Sequence, residues 1–578
     1  MKEDIFKEQE RRIKAFNKRL KNTQILFLVF VVGLIIHLFC FQIIDFKHYR
    51  VKAREQQACY PYTLRGDIYD RNGIKLATDT IYYDIFARPK DFNDKIRKKE
   101  DIAKALAPIL KMQPKVLCDK LEKGKNNPVI LLKKHATKDE YKEIVKLEFR
   151  EIPIDKIRIR TYPQGALAAH VLGYYNDEAN TSAGVEYTAK DKLEHVENFK
   201  KIQATPSGRF IFNFSTNPVA LTQKAKGEDI TLTLDAAIQH ICEKELNHTM
   251  AKFKAEHGTI IVMNPRNGEI LAYAVAPNYN PNNFRTATYE QIKNWTLTDI
   301  FPPGSTFKAI TAASAIELGK INKDTKIYDS GMLKIDKWKI ENHDYRQKGA
   351  PGMVDLVHFF LHSSNIVAVK IALMMSANEF HSMAKKFGLG AKTGRDLPGE
   401  SIGLLNSPQR WSTSDRASMG YGYGASVTAI QLASAISAIA NNGVKVTPHV
   451  VKYSEEDLAK KVKSVEVITP ETAKTVTDLL VKATEQEDIR LENYYVAAKT
   501  GTSKKVGRNG RYMDGMYYTS TVGYFPATDP QVLVYVVIDS PKSDAGVPIF
   551  GSTVAGPVFK TVSAQVASIL NLKPDKHK

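Results

Sequence analysis

The stretch 301-FPPGSTFKAI-310 raises the question on which the interpretation of this chain depends, namely whether Ser305 is a nucleophile or only the cap of a helix. Pro302, Pro303 and Gly304 interrupt regular structure. The residues STFKAITAASAIELGK that follow carry apolar side chains at helical spacing. Serine at such a junction is a good N-cap. The ten residues alone therefore favour a helix cap, and motifs elsewhere in the chain are needed to test whether Ser305 is a nucleophile.

Lys308 stands one helical turn after Ser305, so the two side chains share a face of the predicted helix. A serine hydroxyl is a poor nucleophile until a base removes its proton. A lysine can be that base only when burial or a neighbouring cation keeps it neutral. The N–H groups at a helix start suit an oxyanion. Ser-x-x-Lys at a helix start therefore has a mechanism, although Ser382–Lys385 matches the same pattern.

A second motif, Ser363-Ser364-Asn365, opens another apolar helix in LHSSNIVAVKIA. A serine and an amide entering one cleft could relay a proton and hold a peptide backbone. No Ser-x-Asn follows Ser382, so the second Ser-x-x-Lys copy cannot complete the set.

A third motif, Lys499-Thr500-Gly501, follows YYVAA as the edge of a strand would, and Thr502 continues it. These residues offer a carboxylate one cation and two hydroxyls. Gly501 carries no side chain, so we expect a ligand strand to approach it closely. The other Lys-Thr-Gly, residues 392–394, lies in a loop rich in breakers and is set aside.

Ser-x-x-Lys, Ser-x-Asn and Lys-Thr-Gly in this order resemble the penicillin-binding protein and serine β-lactamase superfamily. RGDIYDRNGIKLA, RTYPQGALAAHVLGY, GVEY and FPPGSTFK extend the resemblance to class B penicillin-binding proteins, in which a non-catalytic pedestal precedes a transpeptidase domain. The tail from TSTVGYFPATDP to GSTVAGPVF is most similar to the cell-division type, penicillin-binding protein 3. One departure is that the pedestal end GVEYTAKDKLEHVENFKK lacks the usual glycine-rich turn.

The fold class expected is α+β, with an antiparallel sheet flanked by helices. DRNG at 70–73 predicts a hairpin, and 258–277 predicts a second one. YYVAAKTG, YYTSTVGYF and QVLVYVVIDS predict three further strands, followed by a closing helix at GPVFKTVSAQVASILN. The domain's sheet would thus be built from both of its ends. Residues 91–150 are expected to form short charged helices, and 200–226 a linker.

Residues 24–44, QILFLVFVVGLIIHLFCFQII, are long and apolar enough to span a bilayer. The basic excess before them predicts a cytoplasmic tail, residues 1–23, with the remainder outside the cytoplasmic membrane. The resemblance then assigns 45–224 to a pedestal of the dimerisation type and 225–578 to a transpeptidase domain. The net charge of +20 comes from scattered Lys and Arg without a basic-aromatic stripe, so a nucleic-acid partner is not expected.

The resemblance implies a septal D,D-transpeptidase that cross-links peptidoglycan stem peptides, delivered as lipid-linked precursor, and that β-lactams acylate. Partners implied are a membrane glycosyltransferase and other division proteins, with no cofactor. Its catalytic residues would be Ser305, Lys308, Ser363, Asn365 and Lys499. Thr500, Gly501 and Thr502 would bind the substrate carboxylate. Alternatives are an elongation-type transpeptidase, a D,D-carboxypeptidase or β-lactamase-like hydrolase, and a non-enzymatic penicillin sensor or scaffold.

Other residues that could carry chemistry are interpreted structurally. His358 and His362 have the spacing of a zinc pair, but no glutamate lies between them and no third ligand is evident. His343-Asp344 is interpreted as loop structure. The four cysteines form no C-x-x-C pair, so neither a metal site nor a disulfide framework is expected.

Overall fold

The computed structural model describes residues 2–39, 58–59, 64–92, 98–124, 126–194, 202–204, 210–211, 226–394, 396–507, 511–543 and 546–576. The chain divides into two compact units. The first comprises residues 1–64 and 196–226, and the second comprises residues 65–195 and 227–578.

The described helices are α1 (Lys2–Phe39), α2 (Lys99–Leu110), α3 (Pro114–Lys123), α4 (Lys138–Lys146), α5 (Ala169–Leu172), α6 (Gly184–Thr188), α7 (Lys190–Glu194), α8 (Ala236–Phe253), α9 (Tyr289–Ile292), α10 (Trp295–Thr298), α11 (Lys308–Glu317), α12 (Tyr345–Lys348), α13 (Leu356–Leu361), α14 (Asn365–Met374), α15 (Ala377–Lys386), α16 (Thr413–Gly420), α17 (Ala429–Ala440), α18 (Glu455–Lys461), α19 (Pro470–Thr484) and α20 (Ala555–Ile569).

The described strands are β1 (Ala58–Cys59), β2 (Ile68–Tyr69), β3 (Lys75–Ala87), β4 (Ile130–Ala136), β5 (Ile154–Thr161), β6 (Tyr175–Asn176), β7 (Thr181–Ser182), β8 (Ile202–Ala204), β9 (Phe210–Ile211), β10 (Ile230–Thr231), β11 (His257–Met263), β12 (Ile270–Ala276), β13 (Ile327–Asp329), β14 (Met332–Ile335), β15 (Trp338–Glu341), β16 (Gly352–Val354), β17 (Leu404–Leu405), β18 (Ala425–Ser426), β19 (Val444–Val446), β20 (Ser464–Glu466), β21 (Ala497–Val506), β22 (Tyr512–Phe525) and β23 (Val532–Asp539).

The first unit contains α1 and the small sheet β1-β8-β9. Within α1, residues 18–39 are long and apolar enough to cross a membrane. Their apolar side chains lie exposed rather than packed in a core, as expected for a helix whose surroundings are lipid. The predicted span began at 24, and its last residues, 40–44, lie outside the described residues. Most of the predicted linker 200–226 lies outside them as well.

The long strand β3 organises the part of the second unit that precedes residue 195. It pairs with β2 through the predicted hairpin at 70–73, and antiparallel with β4 and β5. Helices α2, α3 and α4 form from the charged stretch as expected. The prediction of helices throughout 91–150 is wrong at β4. Its Leu132 and Ala136 are buried in a core that includes residues of α2 and α3, while the charged residues around them mask the strand pattern.

Three of the motifs that carry the pedestal resemblance meet in a buried network of charges. Arg65 of RGD lies 3.0 Å from Glu186 of GVEY, and Arg160 of RTYP lies 2.6 Å from the other oxygen of that carboxylate. Arg160 also reaches Asp79 of β3 at 3.2 Å. These four side chains are at least nine-tenths buried. Removing one member of such a network leaves a buried charge unpaired, so the motifs act here in folding.

The five-stranded antiparallel sheet β12-β11-β23-β22-β21 is assembled from both ends of the C-terminal domain, as predicted. Successive side chains of a strand point to opposite faces. In β23, Val534 and Val536 therefore join the core beneath α8 and α20, whereas Leu533 and Tyr535 join the core beneath α11, α17 and α19. Strand β21 lies at one edge of this sheet, and its other side faces the Ser305 turn.

Candidate active site

Ser305 lies in a single 3₁₀ turn, Gly304–Phe307, which runs directly into α11. The interpretation of Ser305 as a helix cap is wrong, because its side chain caps neither element. The turn is instead held by Thr306, whose hydroxyl donates to the carbonyl of Pro303 at 2.8 Å. Ser305 itself is half-buried, and the described part of the chain offers its hydroxyl no hydrogen bond within reach. Its oxygen is therefore available to the cleft.

Lys308 begins α11 and is completely buried. Its Nζ lies 2.5 Å from the carbonyl oxygen of Ser363, 3.1 Å from the Ser363 hydroxyl and 2.9 Å from Oδ1 of Asn365. Burial, reinforced by the charge of Lys499, lowers the pKa of Lys308 well below its usual value, and the carboxylate of Asp329 opposes the shift only partly. A neutral amine can donate hydrogen bonds to such oxygens and still has a lone pair that can accept a proton. The arrangement thus suits a base.

Ser363 adopts the left-handed backbone conformation, with φ of 53°, two residues before the start of α14. A non-glycine residue in this region stores of the order of 1–3 kcal/mol and persists only where its surroundings enforce it. The enforcing contact follows at Ser364, which caps α14 by accepting from the N–H of Val367 at 3.0 Å. The strained turn directs the carbonyl of Ser363 to Lys308.

Hydrogen bonds to Asp329 and Asn342 hold the turn at Ser363–Asn365 in place. The sequence analysis did not identify these two residues. Asp329, at the end of β13, accepts from the Ser364 hydroxyl at 2.5 Å and from the Asn342 amide at 2.9 and 3.0 Å. The side-chain oxygen Oδ1 of Asn342 in turn accepts from the N–H of Asn365 at 2.8 Å. Asp329, Asn342 and Ser364 are all buried. No local motif marks Asp329 or Asn342, since each is a single polar residue at a strand end.

Strand β21 packs directly against the Ser305 turn. The hydroxyl of Ser503 donates to the carbonyl of Pro302 at 2.7 Å. A Cβ on Gly501 would lie 2.7 Å from Oγ of Ser520 and 2.9 Å from the methyl group of Thr306. The missing side chain of Gly501 thus makes room for the chain's own turn, and the close approach of a ligand strand at this residue stays a prediction. Thr502 accepts from the N–H of Gly551 at 2.9 Å.

Lys499 belongs to strand β21 and is buried, with 2% of its surface exposed. Its Nζ donates to the carbonyl of Thr500 at 3.2 Å. Burial lowers the pKa of Lys499, while the negative charge of Glu487 acts in the opposite direction. Two lysines, 308 and 499, therefore share one region, and the charge on Lys499 helps to keep Lys308 neutral.

A cleft of about 640 Å³ brings the predicted residues together. Of these, Ser305, Ser363, Asn365, Thr500, Gly501 and Thr502 line it. Lys308 and Lys499 lie buried behind this lining and touch it through the hydrogen bonds given above. A cleft of this size suits a peptide end or a small molecule.

The two rejected motif copies lie elsewhere. Ser382 and Lys385 are exposed on α15. In the loop at 392–394, the N–H and hydroxyl of Thr393 donate to Glu400 at 2.8 Å each. Neither copy lines the cleft that contains Ser305.

His343 and His362 also line the cleft, which the sequence interpretation did not foresee. Burial lowers the pKa of both imidazoles, so they are neutral at neutral pH. The ring of His362 lies 4.2 Å from that of His358, and His343 lies edge-on to Phe550. The His358–His362 spacing and the His343-Asp344 pair mark these histidines in the sequence, but neither pattern indicates that His343 and His362 line the cleft.

Away from the cleft, Glu256, His257 and Asp539 have the spacing of a metal site within the described part of the chain. The ammonium of Lys505 already lies 2.9 Å from both carboxylates. The cluster is therefore satisfied by a side chain of the protein.

Comparisons with known proteins identify two domains in the chain. The family model of the penicillin-binding protein transpeptidase domain matches residues 258–564, more than half of the chain. The model of the penicillin-binding protein dimerisation domain matches residues 61–232.

Two relatives share 30% of their residues with most of this chain. The chain is 30% identical to the peptidoglycan D,D-transpeptidase FtsI of Escherichia coli (strain K12), over 89% of this chain and 85% of that protein. It is also 30% identical to stage V sporulation protein D of Bacillus subtilis (strain 168), over 89% of this chain and 79% of that protein.

Solved structures share the fold at lower identity. Penicillin-binding protein 2X from Streptococcus thermophilus superposes with a TM-score of 0.73 at 22% identity, covering 88% of this chain and 80% of that one. Penicillin-binding protein 3 from Mycobacterium tuberculosis, complexed with aztreonam, superposes with a TM-score of 0.66 at 21% identity. The superposition covers 89% of this chain and 98% of that one.

Proposed function

The chain belongs to the family of penicillin-binding proteins with a transpeptidase domain, and on that premise we propose that it is a serine D,D-transpeptidase of septal cell-wall synthesis. The observation that carries the proposal is the contact of Lys308 with Ser363 and Asn365 in the cleft that Ser305 lines. Its substrate is the D-alanyl-D-alanine end of a peptidoglycan stem peptide.

In the acylation step, Ser305 Oγ attacks the carbonyl carbon between the two D-alanines, and Lys308 accepts the hydroxyl proton. Backbone N–H groups of Ser305 and Thr502 stabilise the oxyanion. The C–N bond then breaks, and the proton passes through Ser363 and Lys499 to the departing D-alanine amine. Asn365 orients the donor peptide, while Thr500, Gly501 and Thr502 hold the terminal carboxylate. The product is an ester between the stem peptide and Ser305.

In the second step, the amine of a neighbouring stem peptide attacks this ester. The attacking amine gives up a proton to Lys308, a new amide bond forms, the ester C–O bond breaks, and Lys308 passes that proton to the Ser305 oxygen. No step in this scheme uses a metal or cofactor. A β-lactam acylates Ser305 by opening its ring, so its leaving group stays attached, which is why the acyl-enzyme persists.

The hydrolase alternative differs only in the second step, where water replaces the amine. Names of the relatives favour the transferase, since FtsI is a peptidoglycan D,D-transpeptidase. The E. coli relative also supports the septal assignment over an elongation role.

The test is covalent labelling of the full chain by a fluorescent penicillin. Wild type should label stoichiometrically and gain the mass of the intact penicillin on a peptide that contains Ser305. Ser305→Ala should not label, and Ser382→Ala, in the rejected copy, should label as wild type does. Release of the penicilloyl group over hours supports the transferase, and release within minutes supports the hydrolase. Labelling of Ser305→Ala would overturn the assignment.

The same proposal covers the placement of the chain. Residues 1–23 lie in the cytoplasm, 24–44 anchor the chain in the cytoplasmic membrane, and 45–224 form a pedestal for the transpeptidase domain, 225–578. A membrane glycosyltransferase supplies the glycan strands, and other division proteins locate the enzyme at the septum. The support is the apolar helix α1 and the basic excess that precedes it.

A further inference from the structure

One wall of the cleft is formed by a segment that is neither helix nor strand. Residues 485–491 lie between α19 and β21, and four of them, residues 486–489, line the cleft that contains Ser305. Ile489 and Leu491 bury their side chains in the core beneath α8 and α20. Because the burial of apolar side chains is non-directional, it does not by itself fix where the backbone of this wall lies. Polar contacts from neighbouring elements have to fix it.

A single ammonium group holds both ends of this wall segment. Nζ of Lys576 donates to Oε1 of Glu485 at 2.7 Å and to the carbonyl oxygen of Leu491 at 2.9 Å. Glu485 is the first residue of the segment and Leu491 is the last. The Lys576 side chain is 16% exposed and that of Glu485 is 31% exposed, so most of the solvent is kept away from the contact. Charge-assisted hydrogen bonds of this length are stronger than those between neutral groups.

This lysine is itself held in place by the short stretch of chain that carries it, residues 572–576, which we name the strap. The carboxylate of Asp575 accepts from the N–H of Tyr495 at 2.8 Å. It also accepts from the N–H and the hydroxyl of Thr528 at 3.2 and 3.0 Å. The first carbonyl of the strap accepts from the hydroxyl of Tyr494 at 2.7 Å. The strap is therefore fixed to the chain just before β21 and to the turn between β22 and β23.

The middle of the wall has a weaker support, and the reacting groups are placed by other elements. Nζ of Lys560, an exposed residue of α20, donates to the carbonyl of Asp488 at 2.9 Å, where water competes for the lysine. Ser305 is placed by the 3₁₀ turn that packs on β21, and Lys308 by its contacts just before and at the start of α14. A shift of the wall should therefore change how a ligand fits the cleft more than how fast Ser305 reacts.

We propose that Lys576 is a positioning residue of the transpeptidase reaction, and that it keeps the wall at 486–489 where it contacts a stem peptide or β-lactam bound before acylation. The inference rests on the proposed function. Lys576 is not among the described residues that line the cleft, so it acts through the wall and not on the reacting atoms. Without its two hydrogen bonds the wall should populate several positions, of which only a fraction fit the ligand. The apparent affinity falls in proportion to that fraction.

The experiment measures how the rate of acylation of the full chain depends on the concentration of a fluorescent penicillin. Rapid-quench labelling gives a half-saturating concentration and a limiting rate constant for each variant. Lys576→Met should raise the half-saturating concentration by about threefold to tenfold, because the wall then spends only part of its time in the fitting position. The limiting rate constant should stay at the wild-type value.

Two further lysine variants separate the role of the clamp from general effects of charge. Lys576→Arg should recover most of the affinity, because a guanidinium can also donate to two oxygens. Lys573→Met, which removes an exposed lysine of the same strap, is the matched control and should behave as wild type. Should Lys576→Met fail to fold, Asp575→Asn tests the same strap by weakening its attachment. It should shift the half-saturating concentration in the same direction.

Three outcomes would overturn the inference. One is an unchanged half-saturating concentration in Lys576→Met, and another is a loss confined to the limiting rate constant. The third is a smaller fraction of molecules that label, with a wild-type concentration dependence in those that do, because that is the signature of a purely structural role. Each of them leaves the proposed function standing, since that depends on the labelling of Ser305 in the wild type.

Discussion

At the scale of single residues, the chemistry depends on a lysine whose protonation is set by its surroundings. Lys308 is enclosed by α11 and the start of α14, and all three of its polar contacts are oxygens of Ser363 and Asn365. Burial first, and the charge of Lys499 second, lower its pKa. An ordinary exposed lysine would be charged at neutral pH and useless as a base.

The first prediction concerns this lowered pKa. Acylation by a fluorescent penicillin should rise as the pH rises through the pKa of Lys308, because only the neutral amine accepts the Ser305 proton. Lys308→Arg cannot lose its charge, so its acylation rate should fall by about 10²–10⁴-fold at every pH. Rapid-quench labelling checks both statements.

Lys385→Arg, in the exposed motif copy on α15, serves as the matched control and should label at the wild-type rate. Normal labelling of Lys308→Arg would contradict the role of Lys308.

The same pKa shift affects stability, since the unfolded chain binds a proton that the folded chain releases. Over the interval between the lowered pKa and its usual value, the contribution of Lys308 to the free energy of unfolding should increase with pH.

At the scale of secondary-structure elements, three chain segments without sequence proximity meet at Ser305. The 3₁₀ turn Gly304–Phe307 packs on β21 through Gly501, and the turn before α14 closes over Lys308. A third contact comes from Gly422, where a Cβ would lie 2.1 Å from the carbonyl oxygen of Gly304. The two glycines thus let the turn approach its neighbours closely, and this packing places Ser305 without a hydrogen bond to its own side chain.

The second prediction tests this packing through Gly501→Ala. The added methyl group would collide with Ser520 and Thr306, so the turn should move away from β21. The free energy of unfolding should fall by about 1–3 kcal/mol. Acylation should fall by about 100-fold, because a nucleophile displaced by about 1 Å is poorly aligned. Urea unfolding and penicillin labelling measure the two effects.

Gly394→Ala is the control, since a Cβ there would lie 2.7 Å from the carbonyl oxygen of Pro448 in the rejected Lys-Thr-Gly loop. It should lower stability to a similar degree and leave labelling unchanged. If both variants labelled normally, close packing at Gly501 would have no part in placing Ser305.

At the scale of the whole molecule, the chain joins an apolar helix to a catalytic fold with its own core. The hydrophobic core around the sheet β12-β11-β23-β22-β21 includes residues from β2 and α6 as well, so the segment 65–194 is packed together with the catalytic part of the second unit. The buried Arg65–Glu186–Arg160 network lies within the same unit.

The third prediction concerns the apolar helix as a membrane anchor. The full chain should sediment with membranes and need detergent for extraction, because residues 18–39 present apolar side chains outward. A chain that starts at residue 45 should be soluble and should label with penicillin at the wild-type rate. Fractionation by ultracentrifugation, followed by labelling of each fraction, checks both. Persistent membrane binding of the shortened chain would show that α1 is not the sole anchor.

The sequence by itself determined the elements and the order of the motifs, because both depend on short-range patterns. Apolar runs bounded by turns predicted the strands β11, β12, β22 and β23, and helical spacing after Ser305 predicted α11. Context also separated Lys499 from Lys392, since a strand and a breaker-rich loop differ locally. Strand β4 was missed because charged residues dominated its surroundings.

Only the tertiary structure decided which groups act on each other. Asp329 and Asn342 are single polar residues at strand ends, and nothing in the spacing of their neighbours marks them. The protonation of Lys308 and Lys499 likewise depends on burial and on charges from distant segments. The physical reason is that helix and strand periodicity reports on neighbours along the chain, whereas the electrostatics of a cleft come from residues that only folding brings within a few ångströms of each other.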